Sequence, residues 1–122
     1  MIKFIQQRIT SFKWALKGLK DLFSHHPNAK MHLLATIFVV PLAFFLQVSL
    51  MEWCLLILCI ALVMAMEAMN SALEYLADKV SPEHNELIGK SKDIAAGAVL
   101  LCAIGAALIG SLIFVPKLYA LL

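Results

Sequence analysis

Charge is scarce in this sequence: only 15% of its 122 residues are Asp, Glu, Lys or Arg, while 62% are apolar and the mean hydropathy is +0.89. A soluble domain of ordinary composition carries roughly 25% charged and about 45–50% apolar residues. A single small core hides too little surface to absorb the excess, so water is excluded as the solvent for most of the chain. The net charge is only +2, and no Lys/Arg cluster is interleaved with aromatics, so the electrostatic footprint of a nucleic-acid binder is missing. There are three cysteines, Cys54, Cys59 and Cys102, all inside apolar runs. They exclude a disulfide framework or a cysteine metal set and read as small buried apolar residues. The first two dozen residues lack a continuous apolar core and a small-residue cleavage site, which argues against a cleavable signal. Gly89-Lys90-Ser91 resembles the end of a phosphate loop, but His84 stands where its first glycine belongs and no strand precedes it.

Three uncharged or nearly uncharged runs are present: Met31 to Met51, Trp53 up to Glu67, and Ile94 to Pro116. Each is near the ~20 residues a helix needs to cross ~30 Å of hydrocarbon, provided the second continues past Glu67. The expected fold is all-α and membrane-integral: an amphipathic helix over residues 1–26, spans over 29–50, 53–80 and 91–116, and a polar connection over 81–90. The link around Gln47, Ser49 and Glu52 is too short to be a domain. Pro41 is tolerable inside a membrane helix as a kink.

Lys3, Arg8, Lys13, Lys17, Lys20 and Lys30 precede the first span, Lys79, Lys90 and Lys92 flank the second connection, and Lys117 alone follows the last, so nine of the ten cations share one side. The positive-inside rule assigns that side to the cytoplasm and the C-terminus to the outside. Ahead of the spans, Ile2, Ile5, Ile9, Phe12, Leu16, Leu19 and Phe23 recur at steps of three and four, a stripe about 100° wide. With Trp14 and the lysines beside it, this predicts a helix lying on the cytoplasmic leaflet or packed on protein.

The most informative segment runs from Glu67 to Asp78. At ~100° per residue, Glu67, Asn70, Glu74 and Asp78 fall within an arc of about 80°. A helix starting near Trp53 has risen about 21 Å by Glu67, still inside the apolar layer. A carboxylate there costs roughly 2.5–3.5 kcal/mol, so a row of carboxylate, amide and carboxylate demands cations, a metal or interhelical hydrogen bonds in compensation. Lys92-Asp93, placed at the start of the third span, suits an approaching phosphate through the lysine and the free N–H groups of a helix N-terminus. In that span the pairs Ala103 with Ala107 and Ala106 with Gly110 allow close helix approach and favour an oligomeric bundle.

The run Glu67-x-x-Asn70-Ser71-Ala72-Leu73-Glu74-x-x-x-Asp78, followed by Lys92-Asp93-Ile94-Ala95-Ala96-Gly97-Ala98-Val99-Leu100-Leu101, resembles the signature of the small integral-membrane prokaryotic lipid kinases, the diacylglycerol and undecaprenol kinase family. The resemblance extends upstream through Trp14-Ala15-Leu16-Lys17-Gly18-Leu19 and Asn28-Ala29-Lys30-Met31-His32-Leu33. It implies a homotrimer of three-span protomers in a bacterial cell membrane, transferring the γ-phosphoryl of ATP, as its Mg²⁺ complex, to the hydroxyl of a membrane lipid alcohol. It further implies Glu67 as general base, Asn70 as its positioning partner and Glu74 as Mg²⁺ ligand. Trp14, Asp78, Glu83, His84, Asn85, Lys92 and Asp93 fall on the nucleotide side.

Such an allocation is chemically coherent. Phosphoryl transfer needs a hard cation on oxygen ligands, a lysine near the phosphates and a group to accept the alcohol's proton. Glu67, the deepest carboxylate, is the most desolvated, which strengthens it as a base.

Two positions depart from the family pattern. His26 stands where a second metal-ligating glutamate is usual, and imidazole is a poorer Mg²⁺ ligand than a carboxylate. Glu83 is followed by His84-Asn85 rather than by an aromatic and then histidine. The runs at Lys92–Leu101 and Asn28–His32 look more like the undecaprenol branch, which makes undecaprenol the expected substrate and diacylglycerol the alternative. A kinase-like scaffold impaired by His26 and a small multidrug-type transporter are the competing classes, the latter having no need of the Glu74, Asp78, Lys92, Asp93 cluster.

Overall fold

The computed structural model describes residues 1–83 and 85–121. Four helices follow one another, α1 (Ile2–His25), α2 (Pro27–Phe45), α3 (Leu50–Val80) and α4 (Glu86–Tyr119), and the described residues contain no strand. The last three are each long and apolar enough to cross a membrane. At 31 and 34 residues, α3 and α4 extend about 46 and 51 Å, so their ends reach beyond a ~30 Å hydrocarbon layer.

α3 and α4 form the principal pair, with α2 against α3. Their antiparallel register is marked at both ends: Lys117 Nζ lies 3.1 Å from Glu52 Oε2, and Lys92 Nζ lies 2.9 Å from Asp78 Oδ1. Partly exposed pairs of this kind contribute little stability; the apolar contacts between the helices carry the packing. A buried cluster of Ala43, Leu46, Val48, Leu56, Ile113 and Phe114 closes the Glu52 end, with the rings of Phe44 and Trp53 in tilted contact beside it, centroids 4.7 Å apart at 55°.

α2 stops at Phe45, short of residue 50, because the chain closes a Schellman turn there. Val48 N–H donates to Ala43 O at 3.2 Å and Gln47 N–H to Phe44 O at 3.2 Å, with Gln47 in the left-handed region at φ 48°. Val48 and Ala43 then meet in the buried cluster, the apolar contact this motif commonly brings.

Ser49 opens α3 as one half of a capping box: its Oγ accepts from Glu52 N–H at 3.3 Å, and Glu52 Oε2 accepts from Ser49 N–H at 2.6 Å. Replacing Ser49 by Ala is expected to cost about 1 kcal/mol, read as a fall of a few degrees in the unfolding midpoint of the purified protein, with activity unchanged.

α1 is exposed through Lys20 and buries only Leu22, near its end, while making contacts with α2 and α3. Its apolar stripe, Ile2, Ile5, Ile9, Phe12, Leu16 and Leu19, faces no protein within the chain. A single extended residue, His26 (φ −101°, ψ 111°), separates α1 from α2. Pro27 enforces the break, since a proline drives the residue before it out of the helical region and itself suits the first helical position.

Two expectations are corrected here. α4 begins at Glu86, because Asn85 Oδ1 accepts from the N–H groups of Leu87 (3.0 Å) and Ile88 (3.2 Å) and caps the helix. Lys92 therefore sits in the second turn of α4, beyond the four free N–H groups, and does not share a helix N-terminus with an approaching phosphate. The cysteines are all free, but none is fully buried within the chain; Cys54 is exposed, on a face with no protein neighbour to cover it.

Candidate functional site

The polar row on α3 survives as a gradient of burial. Glu67 is 2% exposed and Asn70 4%, Glu74 is half-buried, and Asp78 is exposed. Ser71, 3% exposed, joins the buried group although nothing about a serine draws notice in an apolar run; its spacing of four from Glu67 is the signal that places it on this face. Asn70 Nδ2 donates to Glu74 Oε1 at 3.3 Å, linking the amide to the second carboxylate. Four buried atoms, His26 Nε2, Glu67 Oε2, Asn70 Oδ1 and Ser71 Oγ, have no hydrogen-bond partner among the described residues. Buried polar atoms are normally paired, so this concentration marks a place where other groups belong.

The His26 elbow projects onto the row. Its Nδ1 lies 3.9 Å from Glu74 Oε2, and its ring sits edge-on to Tyr75, centroids 5.0 Å apart at 71°. Tyr75 Oη in turn donates to Asp21 Oδ2 on α1 at 2.8 Å. Sequence spacing gives no hint of this contact, because its partners are 54 residues apart. Tyr75→Phe removes the hydrogen bond and keeps the ring against His26. We expect hydrogen exchange in the last turn of α1 to quicken about fivefold, the effect of losing about 1 kcal/mol.

At the outer end, Lys92 and Asp78 pair across the α3–α4 hairpin. Asp93 is exposed and belongs to none of the ion pairs of the described residues. Glu83 is exposed and offers its carbonyl to Ser81 Oγ at 2.9 Å, while the Asn85 side-chain oxygen is occupied by its cap. His84 lies outside the described residues. Trp14 does not join the cluster: it is exposed on α1 with Lys17 Nζ 5.1 Å over its ring. Among the described residues no group of three His, Cys, Asp or Glu side chains gathers in a form able to hold a metal; His26 with Glu74 is a pair.

Below the row, α2, α3 and α4 enclose an apolar cleft of about 520 Å³ that runs from His32 and Met64 to Phe114. Val63 in its wall is one turn from Glu67, so the buried carboxylate stands near one end of an apolar passage. Of the hydroxyls lining it, Thr36 Oγ1 already donates to His32 O and Ser111 Oγ to Ala107 O.

A buried carboxylate near an apolar cleft, continued by amide, carboxylate and a lysine–aspartate pair toward the polar end of the bundle, defines a helical membrane enzyme that brings an apolar substrate to a charged one. The sequence profile of the family prokaryotic diacylglycerol kinase matches residues 13–114, and the chain belongs to that family. It is an ATP-dependent lipid kinase.

Among its relatives are undecaprenol kinase of Bacillus subtilis, 34% identical over 108 residues and 88% of each chain, and diacylglycerol kinase of Haemophilus influenzae, 36% identical over 108 residues, covering 87% of this chain and 92% of that one. Diacylglycerol kinase of Escherichia coli is 32% identical over 97 residues, 80% of this chain and 78% of its own.

Proposed function

We propose that this chain phosphorylates undecaprenol, with diacylglycerol as the alternative substrate, and that Glu67 is the base that takes the proton of the lipid hydroxyl. The observation that carries the reading is Glu67 itself, 2% exposed with an unpaired buried oxygen beside an apolar cleft. A carboxylate can take up a hydroxyl proton, and a cleft of this lining suits the chain that bears the hydroxyl.

Two features favour a polyprenol. Its hydroxyl sits directly on an apolar chain, whereas diacylglycerol brings two ester carbonyls that need donors, and the Thr36 and Ser111 hydroxyls are already committed. The runs at Asn28–His32 and Lys92–Leu101 point the same way.

Asn70 positions Glu67 and the acceptor, its amide being tied to Glu74. Asp78, Lys92 and Asp93 serve the nucleotide, Lys92 exchanging Asp78 for phosphate oxygens; Trp14, Glu83, His84 and Asn85 belong to the same side. The donor set suits a divalent cation, Mg²⁺ in the family expectation, with Glu74 Oε2 free for it and His26 facing the same oxygen. A bound cation would neutralise phosphate charge that develops during transfer.

In this reading the chain is a homotrimer in a bacterial plasma membrane, with the N-terminus and the α3–α4 link in the cytoplasm and α1 on the membrane surface. The unpaired atoms of Glu67, Asn70 and Ser71 support a site completed by a neighbouring protomer.

The test is phosphate transfer from labelled ATP by the purified protein in mixed micelles containing both alcohols. Undecaprenyl phosphate is the expected main product. Phosphatidic acid as the main product would reverse the substrate assignment, and nucleotide binding with transfer to neither would mark an impaired scaffold.

A further inference from the structure

We infer that Tyr75 is a positioning residue for the nucleotide: its hydrogen bond to Asp21 clasps α1 to α3 and sets the direction in which α1 carries Trp14. This rests on the assignment of the α3 row and of Trp14 to the ATP side of the reaction.

Little else joins α1 to the bundle. It is exposed through Lys20, buries only Leu22, and turns into α2 through one extended residue, His26. Among the described residues, the bond from Tyr75 Oη to Asp21 Oδ2 at 2.8 Å is the one side-chain hydrogen bond that ties α1 to another helix.

Both partners are held for it. Asp21 Oδ1 lies 3.0 Å from His25 Nδ1, one turn further along α1, and Oδ2 is left to the tyrosine. The Tyr75 ring meets the His26 ring edge-on, centroids 5.0 Å apart at 71°, so it fills the crook of the elbow while its hydroxyl reaches α1.

Leverage gives the bond its reach. At about 1.5 Å of rise per residue, Asp21 stands about 7.5 Å from the His26 hinge and Trp14 about 18 Å from it. Slack of about 1 Å at the clasp is therefore magnified to about 2.4 Å at Trp14. Losing one such bond lowers the ratio of clasped to released α1 by about tenfold at most, and apparent nucleotide affinity falls with the clasped fraction.

The experiment uses the full-length protein in lipid nanodiscs with a non-hydrolysable ATP analogue. It compares wild type, Tyr75→Phe, Asp21→Ala, the two combined, and Asp21→Asn, which keeps an acceptor oxygen for the hydroxyl. The analogue's Kd and the KM for ATP are expected to rise about three- to fivefold in Tyr75→Phe and in Asp21→Ala, and no further in the pair. Asp21→Asn should stay within about twofold of wild type, and kcat and the lipid KM should do so in every variant. Unchanged Kd in Tyr75→Phe, with hydrogen exchange at the end of α1 quickened, would overturn the inference and leave the bond as a structural tie. Additive losses in the combined variant would overturn it too, because the two groups would then act separately. Nucleotide binding and transfer untouched by both Trp14→Ala and Glu74→Gln would instead overturn the reading beneath it, and the inference with it.

Discussion

Phosphoryl transfer by Glu67→Gln is expected to fall about 10²–10⁴-fold, the usual contribution of a positioned general base. The substitution keeps the shape of the side chain and removes only the ability to take a proton. It also removes a charge that costs roughly 2.5–3.5 kcal/mol at membrane depth, so the variant should unfold at the wild-type temperature or above it. Glu67 is 2% exposed and has an unpaired oxygen, hence no neighbour within the chain loses a hydrogen bond to Oε2 when the charge goes. Loss of turnover with intact stability and intact nucleotide binding is the signature sought. A variant that keeps activity within tenfold of wild type would remove Glu67 from the proposed mechanism and leave it as a packing residue of the bundle.

Glu74→Gln should be the next most damaging change, with a loss of at least about 10²-fold, the scale of removing one group that offsets charge in the transition state. Its mark differs from that of Glu67→Gln. Glu74 is half-buried at the end of the row, its Oε1 held by Asn70, and its Oε2 is the oxygen open to a cation. The variant should need far more divalent ion to reach its maximum rate, and excess ion should restore part of the activity. A titration of rate against divalent cation at fixed ATP makes the comparison. An unchanged titration midpoint would show that the carboxylate serves the protein's structure and not the metal.

The buried polar row was legible because a helix repeats every 3.6 residues: carboxylates and amides at 67, 70, 74 and 78 must share a face whatever surrounds them. The His26 elbow was legible in part, since a proline after a residue breaks the helix there, but nothing local says that the ring turns toward Glu74. The polar residues of 81–90 read as a connection up to Lys92-Asp93, whereas α4 already starts at Glu86, because the capping bonds of Asn85 to Leu87 and Ile88 set the boundary. Trp14 lies, in the folded chain, on an exposed stretch of α1, a placement that the matching run around it does not reveal.

Composition and periodicity by themselves determined that the chain is helical, that three of its helices suit a membrane, and that one of them carries a costly polar face. These are properties of single segments in a given solvent, decided by burial energy and by the pitch of the helix. Only the tertiary structure decided that Asp21 reaches Tyr75, that Tyr75 holds His26, and that His26 faces the free oxygen of Glu74. Those contacts join residues far apart in the chain, and their geometry follows from how α1 and α2 are hinged at one extended residue and how both settle against α3.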